Sequence, residues 1–350
     1  MSVFHHADFQ SHEQVLFCTD AAVGLKAIIA IHSTALGPAA GGCRMHPYAS
    51  EDAALADVLR LSQGMSFKNA VAGLPLGGGK CVILGDPAAA NKATLLRAFS
   101  AHVQALNGRY WTAIDVGVGP ADADVLAEGC DYVFARASAY EPGFNPSFFT
   151  SRGGFAGLRA LARHLWGSDD LRGRRVAVQG LGQTGGDLAR QLFDAGAELV
   201  VADVREAAVR DAVARFGATA VAPEAIHAQP ADLFVPCALG GVISDRTLPE
   251  LAVQGVCGLA NNQLAEPRHG AALAARGIAY VPDYVVNAGG MMGASTAILS
   301  TVTRAESLRR IDGLYDTILS ILETARATGV PPSDVADARA RERIADAAAR

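Results

Sequence analysis

The clearest indication of the fold is the stretch Arg175-Val-Ala-Val-Gln-Gly-Leu-Gly-Gln-Thr-Gly-Gly-Asp-Leu-Ala189. A short apolar run, a group of glycines and a second apolar run follow one another, which predicts a strand, a tight turn and a helix. Gly180, Gly182 and Gly185 have the spacing of a dinucleotide-binding turn. The first glycine permits the turn, the second lets the backbone approach a pyrophosphate, and the third allows close helix packing. We therefore predict a Rossmann-type, doubly wound α/β domain around this segment.

A carboxylate follows the next predicted strand. Leu199-Val-Val-Ala leads to Asp203, which lies about 20 residues after the glycine turn, where such domains place the acidic group that binds the ribose hydroxyls. A carboxylate there repels a 2′-phosphate, so we expect NAD rather than NADP, although Arg205 leaves the use of both open. A glycine turn without a ligand and an Asp203 that caps a helix are the alternatives. The expected nucleotide contacts are Gly180, Leu181, Gly182, Gln183, Thr184, Gly185 and Asp203.

Apolar segments continue through the rest of this half. A helix is expected from Ser151 to Trp166, and the three further strands alternate with helical or loop stretches, which is typical of a parallel sheet. Those strands are Leu233-Phe-Val, Val256-Cys-Gly-Leu and Ile278-Ala-Tyr-Val. We assign residues 139–327 to the nucleotide-binding domain. Residues 1–138 are assigned to a substrate-binding and oligomerisation domain, joined by a C-terminal helix over 328–350.

The first half combines strands with a long amphipathic helix. Val15 to Cys18 and Leu25 to His32 are apolar and β-branched, hence expected strands. Ser50 is expected to cap a helix that runs towards Lys68. After this helix we expect a turn at Gly77-Gly78-Gly79, a strand at Cys81-Val-Ile-Leu, a helix from Lys92 to Leu106 and a strand from Tyr110 to Asp115.

Two lysines and a carboxylate fall at the ends of these elements, where α/β folds place their chemistry. Lys80 follows three glycines and has little polar company in the sequence. Burial or a neighbouring cation favours the neutral amine of such a lysine, which makes it a base near neutral pH. Asp115 is a candidate proton acceptor opposite it. A structural Lys–Asp ion pair is the alternative interpretation.

Composition restricts the class of protein. The 350 residues are 50% hydrophobic and 19% charged, which fits a folded two-domain chain and excludes disorder and coiled coil. The formal net charge of −5 argues against nucleic-acid binding, because such binders carry a basic surplus. No stretch approaches the roughly 20 apolar residues of a membrane helix. The N-terminus has no secretory signal pattern, so we expect a cytoplasmic protein.

The cysteines are scattered and none forms a Cys-x-x-Cys pair, so we expect buried reduced thiols and no metal site. The six are Cys18, Cys43, Cys81, Cys130, Cys237 and Cys257.

Six motifs, in matching order along nearly the whole chain, resemble those of a known family. They are Gly37-Pro-Ala-Ala-Gly-Gly-Cys-Arg-Met, Gly64-Met-Ser-Phe-Lys-Asn-Ala-Val-Ala-Gly, Gly77-Gly-Gly-Lys, Pro236-Cys-Ala-Leu-Gly-Gly, Ala260-Asn-Asn-Gln-Leu and Pro282-Asp-Tyr-Val-Val-Asn-Ala-Gly-Gly. The chain resembles the leucine, phenylalanine, valine and tryptophan dehydrogenases of the glutamate dehydrogenase-like superfamily. The resemblance implies two α/β domains separated by a cleft.

The resemblance also implies a reaction: NAD-dependent, reversible oxidative deamination of an L-amino acid to a 2-oxo acid and ammonia. Lys80 would be the general base, and Asp115 would exchange protons with it. Lys68 would bind the substrate carboxylate. The positions that match substrate contacts of the family are Gly41, Gly42, Met65, Lys68 and Asn262.

Further positions match cofactor contacts of the family. Asn145 and Thr150 resemble the loop and the hydroxyl near the nicotinamide, while Ala238 and Asn261 resemble residues that face the nucleotide. A helix N-cap is the alternative for Thr150. A turn-forming loop residue is the alternative for Asn262.

The predicted side-chain pocket consists of small or flexible residues, which are Ala40, Ala113, Met291 and Ala294. Glutamate-specific relatives have a lysine and a serine at the first and last of these positions, so a buried second carboxylate would have no partner here. Leucine-type enzymes are bulkier there. We therefore predict a bulky apolar amino acid, with phenylalanine or tryptophan ahead of leucine and valine.

The chain departs from the family in two places. Val118, Gly119 and Pro120 stand where the family usually has threonines, which removes hydroxyls near Asp115. Met291-Met292-Gly293-Ala294 replaces the valines and the asparagine of branched-chain enzymes. Both departures bear on rate and specificity.

Two other functions stay open: an NAD-dependent dehydrogenase of a 2-hydroxy acid, and a catalytically weak NAD-binding member of the family. The first generally uses a histidine base and an arginine clamp, which nothing here clearly supplies. The family resemblance implies a homo-oligomer, a dimer or an octamer, and Leu25 to Ile31 is a candidate interface strand.

Overall fold

The computed structural model describes residues 3–139, 145–299 and 302–350. The chain divides into two compact units. Unit 1 contains Met1–Gly143, Ala294–Thr301 and Arg339–Arg350, and unit 2 contains Phe144–Gly293 and Val302–Ala338. Residues 140–144, just past the predicted boundary at 138/139, lie outside the described residues.

The described part of unit 1 contains a five-stranded mixed sheet. Its strands are β1 (Gln14–Asp20), β2 (Leu25–Ser33), β3 (Ala39–His46), β4 (Gly77–Leu84) and β5 (Tyr110–Ala113). Their spatial order is β1-β2-β4-β3-β5. β2 is antiparallel to β1 and β4, whereas β3 is parallel to β4 and β5.

Helices cover both faces of this sheet. They are α1 (Glu51–Val71), α2 (Lys92–Gln104) and α3 (Pro120–Ala127). Ser50 caps α1 as predicted, because its side chain accepts a hydrogen bond from the backbone N–H of Ala53. The apolar side of α1 packs on Ile28, Ala30 and Val82, whereas residues of α2 and α3 pack with the opposite face.

The prediction of a turn at Gly77-Gly78-Gly79 is wrong. These glycines form the first half of β4 and are buried between β2, β3 and α1. A Cβ at Gly78 would lie 2.0 Å from the backbone N of Ser66, and a Cβ at Gly79 would lie 2.7 Å from the Tyr110 ring. The glycines therefore permit close packing on both faces of the sheet rather than a change of chain direction.

The proposed interface strand is also misplaced. β2, which contains Leu25 to Ile31, pairs on both sides and its apolar side chains are buried. An inner strand has no free backbone groups to offer to another chain. β1 forms the edge instead, and its Phe17 is 59% exposed.

The described part of unit 2 contains a parallel six-stranded sheet. Its strands are β6 (Arg175–Gln179), β7 (Glu198–Ala202), β8 (Thr219–Ala220), β9 (Leu233–Pro236), β10 (Gly255–Val256) and β11 (Ala279–Tyr280). The order β8-β7-β6-β9-β10-β11 is 3-2-1-4-5-6 when the strands are counted from β6. This confirms the predicted Rossmann-type domain.

Nine further helices follow in chain order. They are α4 (Pro146–Trp166), α5 (Gln183–Asp194), α6 (Glu206–Phe216), α7 (Arg268–Ala275), α8 (Asp283–Val286), α9 (Gly289–Ala294), α10 (Arg304–Asp312), α11 (Leu314–Thr328) and α12 (Pro332–Ala348), all within the described ranges. Gly329, in the left-handed conformation, ends α11 before α12 begins. No helix among the described residues is long and apolar enough to cross a membrane.

The predicted C-terminal helix corresponds to α12. Its first residues, up to Ala338, belong to unit 2, and those from Arg339 onward belong to unit 1. Within unit 1, the Arg343 guanidinium donates to the carbonyl of Ala70 at 2.6 Å, near the end of α1. This bond adds a side-chain donor to a carbonyl that also accepts the backbone N–H of Gly73 at 3.1 Å.

Candidate active site

The centre of unit 1 is an ion pair between Lys80 and Asp115. Lys80 lies on β4, two residues before Val82, and therefore points to the face that α1 covers. Asp115 follows β5, and the register pairs Gly42 of β3 with Ala113 of β5. A Cβ at Gly42 would lie 2.2 Å from the carbonyl oxygen of Ile114, so glycine lets the Asp115 segment come close.

Each oxygen of the Asp115 carboxylate has its own cation. Lys80 Nζ donates to Oδ2, and Arg44 Nε donates to Oδ1 at 3.0 Å. The backbone N–H of Val116 also donates to Oδ1, at 2.6 Å. Burial raises the pKa of Asp115, but Lys80 and Arg44 lower it more, to about 2. Asp115 is therefore ionised at neutral pH.

This pKa predicts how acid changes stability. Because the pKa of Asp115 falls from an ordinary value of 3.8 to about 2 on folding, its ion pairs stabilise the fold above pH 4 and are lost as the pH falls towards 2. The shift corresponds to about 2 kcal/mol of the free energy of unfolding, of which about half is lost by pH 3. Asp115→Asn removes this titration.

We therefore expect the stability gap between wild type and Asp115→Asn to narrow by about 1 kcal/mol between pH 6 and pH 3. Urea unfolding followed by the fluorescence of Trp111 measures this gap. Trp166→Phe in both proteins confines the signal to unit 1. A gap that is constant or widens in acid would contradict the ion-pair assignment.

Lys68 lies in the last turn of α1 and is half-buried. The same turn packs on the glycine half of β4, where Gly78 leaves room for Ser66, and the side-chain amide of Asn69 donates to the carbonyl of Gly77 at 2.6 Å. Close packing between Ser66 and Gly78 thus fixes the helix of Lys68 against the strand of Lys80.

The glycine turn of unit 2 has the geometry of a dinucleotide site. Gly180 has φ +93°, a conformation that favours glycine, and a Cβ at Gly185 would lie 2.1 Å from the carbonyl oxygen of Gly180. A Cβ at Gly182, in contrast, would meet no atom within 4 Å. The open side of the turn at Gly182, at the start of α5, therefore has space for a phosphate.

Asp203 lies directly after β7 and bonds to the same turn. Its carboxylate accepts from the backbone N–H of Leu181 at 2.6 Å and from the guanidinium Nε of Arg205 at 3.1 Å. Burial raises the pKa of Asp203, but the hydrogen bonds from Arg205 and Leu181 lower it more. The N-cap of α6 is Arg205, so Asp203 does not have the helix-cap role considered as an alternative.

Comparison with known proteins finds two family models that match this chain. Residues 12–132 match the family model described as Glu/Leu/Phe/Val dehydrogenase, dimerisation domain, and residues 201–349 match Glutamate/Leucine/Phenylalanine/Valine dehydrogenase. The chain belongs to this dehydrogenase family. It is therefore an oxidoreductase that acts on amino acids, and the resemblance seen in the sequence is confirmed.

Members of this dehydrogenase family match over nearly the whole chain. Leucine dehydrogenase of Geobacillus stearothermophilus is 46% identical over 98% of this chain and 94% of its own length. Valine dehydrogenase of Streptomyces virginiae is 47% identical over 98% of this chain and 96% of its own length. The crystal structure of L-tryptophan dehydrogenase from Nostoc punctiforme is 40% identical with a TM-score of 0.86, over 97% of this chain and 98% of that one.

The positions expected to line the substrate site are mostly buried. Ala40, Ala113 and Ala294 are buried, whereas Met65 and Met291 are half-buried. Ala40 pairs with β4 and β5 on either side. At Gly41, a Cβ would lie 3.0 Å from Met65 Cγ, so α1 packs closely on this part of β3.

The segment after Asp115 contains Val118 and Pro120, where the sequence was expected to depart from the family. Val118 is buried in the apolar core with α2 and α3, and its backbone forms a bridge with Asp115. Gly117 has φ +78° and Pro120 begins α3. A turn and a helix start therefore follow Asp115 directly.

The remaining predicted site residues of unit 2 are the expected substrate contact Asn262 and the expected cofactor contacts. Asn145, not Thr150, caps α4, and the Thr150 hydroxyl donates to the carbonyl of Pro146 at 2.7 Å. Asn262 has φ +53°, which fits the turn-forming role considered for it, and is exposed. Asn261 accepts a hydrogen bond from Asn287 at 2.6 Å.

Ala238 is exposed and lies next to the glycine turn: a Cβ at Gly180 would be 2.9 Å from its Cβ. The cysteines, all within the described ranges, are free thiols; Cys237 is half-buried rather than buried, and the other five are buried as predicted.

Two polar contacts were missed in the sequence. Arg44 lies in the quoted Gly-Gly-Cys-Arg motif, and Asn287 lies in Val-Val-Asn-Ala-Gly-Gly. A charged side chain inside an apolar strand was the available signal for Arg44. Its partner Asp115 is 71 positions away, so only the fold identifies the pair.

Proposed function

We propose that the protein catalyses the NAD-dependent, reversible oxidative deamination of a bulky apolar L-amino acid to the 2-oxo acid and ammonia. The observation that carries the proposal is the buried Lys80 amine on the Asp115 carboxylate, with Lys68 on the helix packed against the same strand. Within the family, this pairing supports deamination over the oxidation of a 2-hydroxy acid.

The nucleotide site fits NAD. The turn at Gly182 leaves space for a pyrophosphate, and Asp203 offers a carboxylate to the ribose hydroxyls. NAD, when bound, accepts the hydride from the substrate Cα. Gln183 and Thr184 bring backbone N–H groups of the helix start to the phosphates, and Leu181, whose N–H donates to Asp203, lies in the same turn. Asn145, Thr150, Ala238 and Asn261 are proposed contacts of the same nucleotide.

The lysines divide the chemistry of the substrate. Lys68 stays charged and holds the substrate carboxylate, together with Asn262 and the backbone of Gly41 and Gly42. Lys80 in its neutral form takes a proton from the substrate amine before hydride leaves Cα. Lys80 passes this proton through Asp115 to solvent, and the amine, neutral again, takes a proton from the water that attacks the resulting imine.

Asp115 supports both steps of this proposal. Its carboxylate accepts a hydrogen bond from the Lys80 amine, so it stabilises the charged lysine after each proton transfer. Because the low pKa keeps Asp115 ionised, its carboxylate stays a hydrogen-bond acceptor for Lys80 over the working pH range and passes on the protons that Lys80 exchanges. The Asp115 carboxylate therefore neutralises the charge of protonated Lys80 but is a weaker base than the Lys80 amine.

The substrate class follows from the small side chains. Ala40, Ala113 and Ala294 are small residues at the positions expected to line the side-chain pocket, and we propose that they accept a large apolar side chain to which the flexible Met291 adapts. The relatives are named as leucine, valine and tryptophan dehydrogenases, all of which act on apolar amino acids. We place phenylalanine and tryptophan ahead of leucine and valine.

Lys68→Met is expected to raise the KM for the amino acid roughly 100-fold, because a charge-assisted hydrogen bond to the substrate contributes about 1.5–3 kcal/mol. The KM for NAD stays unchanged. Lys92→Met is the matched control, since Lys92 forms a partly buried ion pair with Asp122 in the same unit. Steady-state kinetics with both substrates varied measure the effect, and equal KM values in wild type and Lys68→Met would contradict the role.

A substrate panel tests the function itself. Purified protein is assayed by NADH absorbance with the twenty L-amino acids and with the matching 2-hydroxy acids, each with NAD and with NADP. We expect turnover of apolar amino acids with NAD. Turnover of hydroxy acids alone would favour the 2-hydroxy acid alternative, and NAD binding without turnover would favour the weak family member.

The oligomeric state, the location and the roles of the two domains stay predictions. These are the homo-oligomer, as a dimer or an octamer, the cytoplasmic location, and the domain roles of 1–138 with 328–350 for substrate and of 139–327 for nucleotide.

A further inference from the structure

Charged groups continue from the Lys80–Asp115 pair into a chain that ends on α1. Arg44 NH1 donates to Asp57 Oδ2 at 2.9 Å, and the Tyr48 hydroxyl donates to the same oxygen. With the two bonds to Asp115, the order is Tyr48, Asp57, Arg44, Asp115, Lys80. The charges alternate along this order and sum to zero when Lys80 is protonated.

Arg44 is the central member of this chain, and its geometry is fixed from both sides. Its side chain is 21% exposed, and those of Asp57 and Asp115 are 26% and 16% exposed. Burial lowers the pKa of the Arg44 guanidinium, but Asp115 and Asp57 raise it more, so the group keeps its charge. The planar guanidinium places separate N–H groups on two carboxylates, which a lysine cannot reproduce.

We propose that Arg44 is a positioning residue that turns the Asp115 carboxylate towards Lys80 and balances its charge while Lys80 exchanges a proton with the substrate. The inference rests on the proposed function, because it assigns a part in the same proton transfer. Arg44 occupies Oδ1, so Oδ2 is left to Lys80. When Lys80 is neutral, Arg44 is the cation that still faces Asp115.

The sign of the electrostatic effect follows from this arrangement. A second cation on the carboxylate repels the protonated form of Lys80 and so favours the neutral base. Removing Arg44 leaves Lys80 as the cation that must balance Asp115, which favours the protonated amine. Removing the Asp57 carboxylate leaves Asp115 as the partner of the Arg44 charge. This change favours the neutral amine of Lys80, the opposite of the effect of removing Arg44.

Other titratable groups next to the pair are thiols. Cys43 and Cys81 are register partners on β3 and β4, beside Arg44 and Lys80 respectively. The hydrogen bond with Cys81 and burial raise the pKa of Cys43 well above its usual range. The Tyr48 hydroxyl also stays neutral, since burial and Asp57 raise the pKa of Tyr48.

The test compares pH profiles of kcat/KM for Arg44→Met, Arg44→Lys and Asp57→Asn with the wild type. In Arg44→Met we expect kcat to fall about 30-fold or more and the acidic limb of the profile to move up by about one pH unit. In Asp57→Asn the acidic limb moves down by a smaller amount. Arg44→Lys keeps the wild-type limb but recovers only part of kcat, because it keeps the charge and loses the fork.

Arg97→Met is the control, since Arg97 forms an exposed ion pair with Glu128 in the same unit and is expected to leave the profile unchanged. Unshifted acidic limbs in all three variants, or shifts of the same sign in Arg44→Met and Asp57→Asn, would overturn the inference. If Arg44→Met fails to fold by circular dichroism, Arg44→Lys and Asp57→Asn carry the test. A wild type without amino-acid turnover would overturn the proposed function first, and this inference with it.

Discussion

Replacing Lys80 with alanine is expected to lower kcat for amino-acid oxidation about 1000-fold or more. The reason is that the substrate amine and the attacking water lose their base, and general-base catalysis contributes roughly 10²–10⁴-fold. Asp115 keeps Arg44 as a partner in this variant, so the carboxylate is not left without a counter-charge. Steady-state kinetics and circular dichroism on the same preparation measure the loss of rate and the retention of the fold.

A chemical rescue sharpens this prediction. The alanine leaves a cavity next to Asp115 that accepts a small primary amine, so methylamine is expected to restore part of the rate in Lys80→Ala and to leave the wild type unchanged. Lys92→Ala is the matched control, because that lysine also pairs with an aspartate in unit 1. Wild-type kcat in a folded Lys80→Ala variant would contradict the mechanism.

Replacing Asp203 with alanine is expected to change nucleotide preference by at least 100-fold. The variant loses the carboxylate that binds the ribose hydroxyls and repels a 2′-phosphate, so kcat/KM with NAD falls about 30-fold. Arg205, whose Nε is 3.1 Å from Asp203, is then released to bind a 2′-phosphate. The efficiency with NADP therefore rises while that with NAD falls.

The control for this prediction is Asp211→Ala, since Asp211 forms an exposed ion pair with Arg215 on α6 of the same unit. The measurement is kcat/KM for each nucleotide at a saturating amino-acid concentration. An NADP to NAD ratio that is equal in wild type and Asp203→Ala would show that Asp203 does not select the nucleotide.

Unit 2 was largely predictable because its signals are local. The strand, glycine turn and helix over 175–189 are contiguous, and Asp203 follows the next strand directly. The short strands were predicted less well: β10 and β11 overlap predicted strands but have two residues each, and β8, also of two residues, was not predicted. Helices α10 and α11 were not predicted at all.

Unit 1 shows where local reasoning fails. Glycine favours turns when only its backbone freedom is considered, yet Gly77 to Gly79 form a buried strand because Ser66 and Tyr110 pack against them. β3 was not predicted either, although its motif was singled out. These outcomes depend on contacts between residues far apart in the sequence, which override intrinsic propensity.

The candidate residues were found by motif, but their arrangement was not. Lys80 and Asp115 were expected to lie opposite one another, and the ion pair confirms their proximity. The two cations on one carboxylate were unforeseen, because Arg44 reaches Asp115 across 71 positions. A pattern identifies which residues are present, whereas the sheet register determines which of them meet.

The stoichiometry of the products tests whether the protein deaminates an apolar L-amino acid with NAD. Wild-type protein is incubated with NAD and the best apolar L-amino acid from the panel, and NADH, ammonia and the 2-oxo acid are each quantified over time. We expect NADH, ammonia and the 2-oxo acid in equal amounts, and we expect a ¹⁵N-labelled amino group to appear in the ammonia. NADH formation without labelled ammonia, or from a 2-hydroxy acid alone, would contradict it.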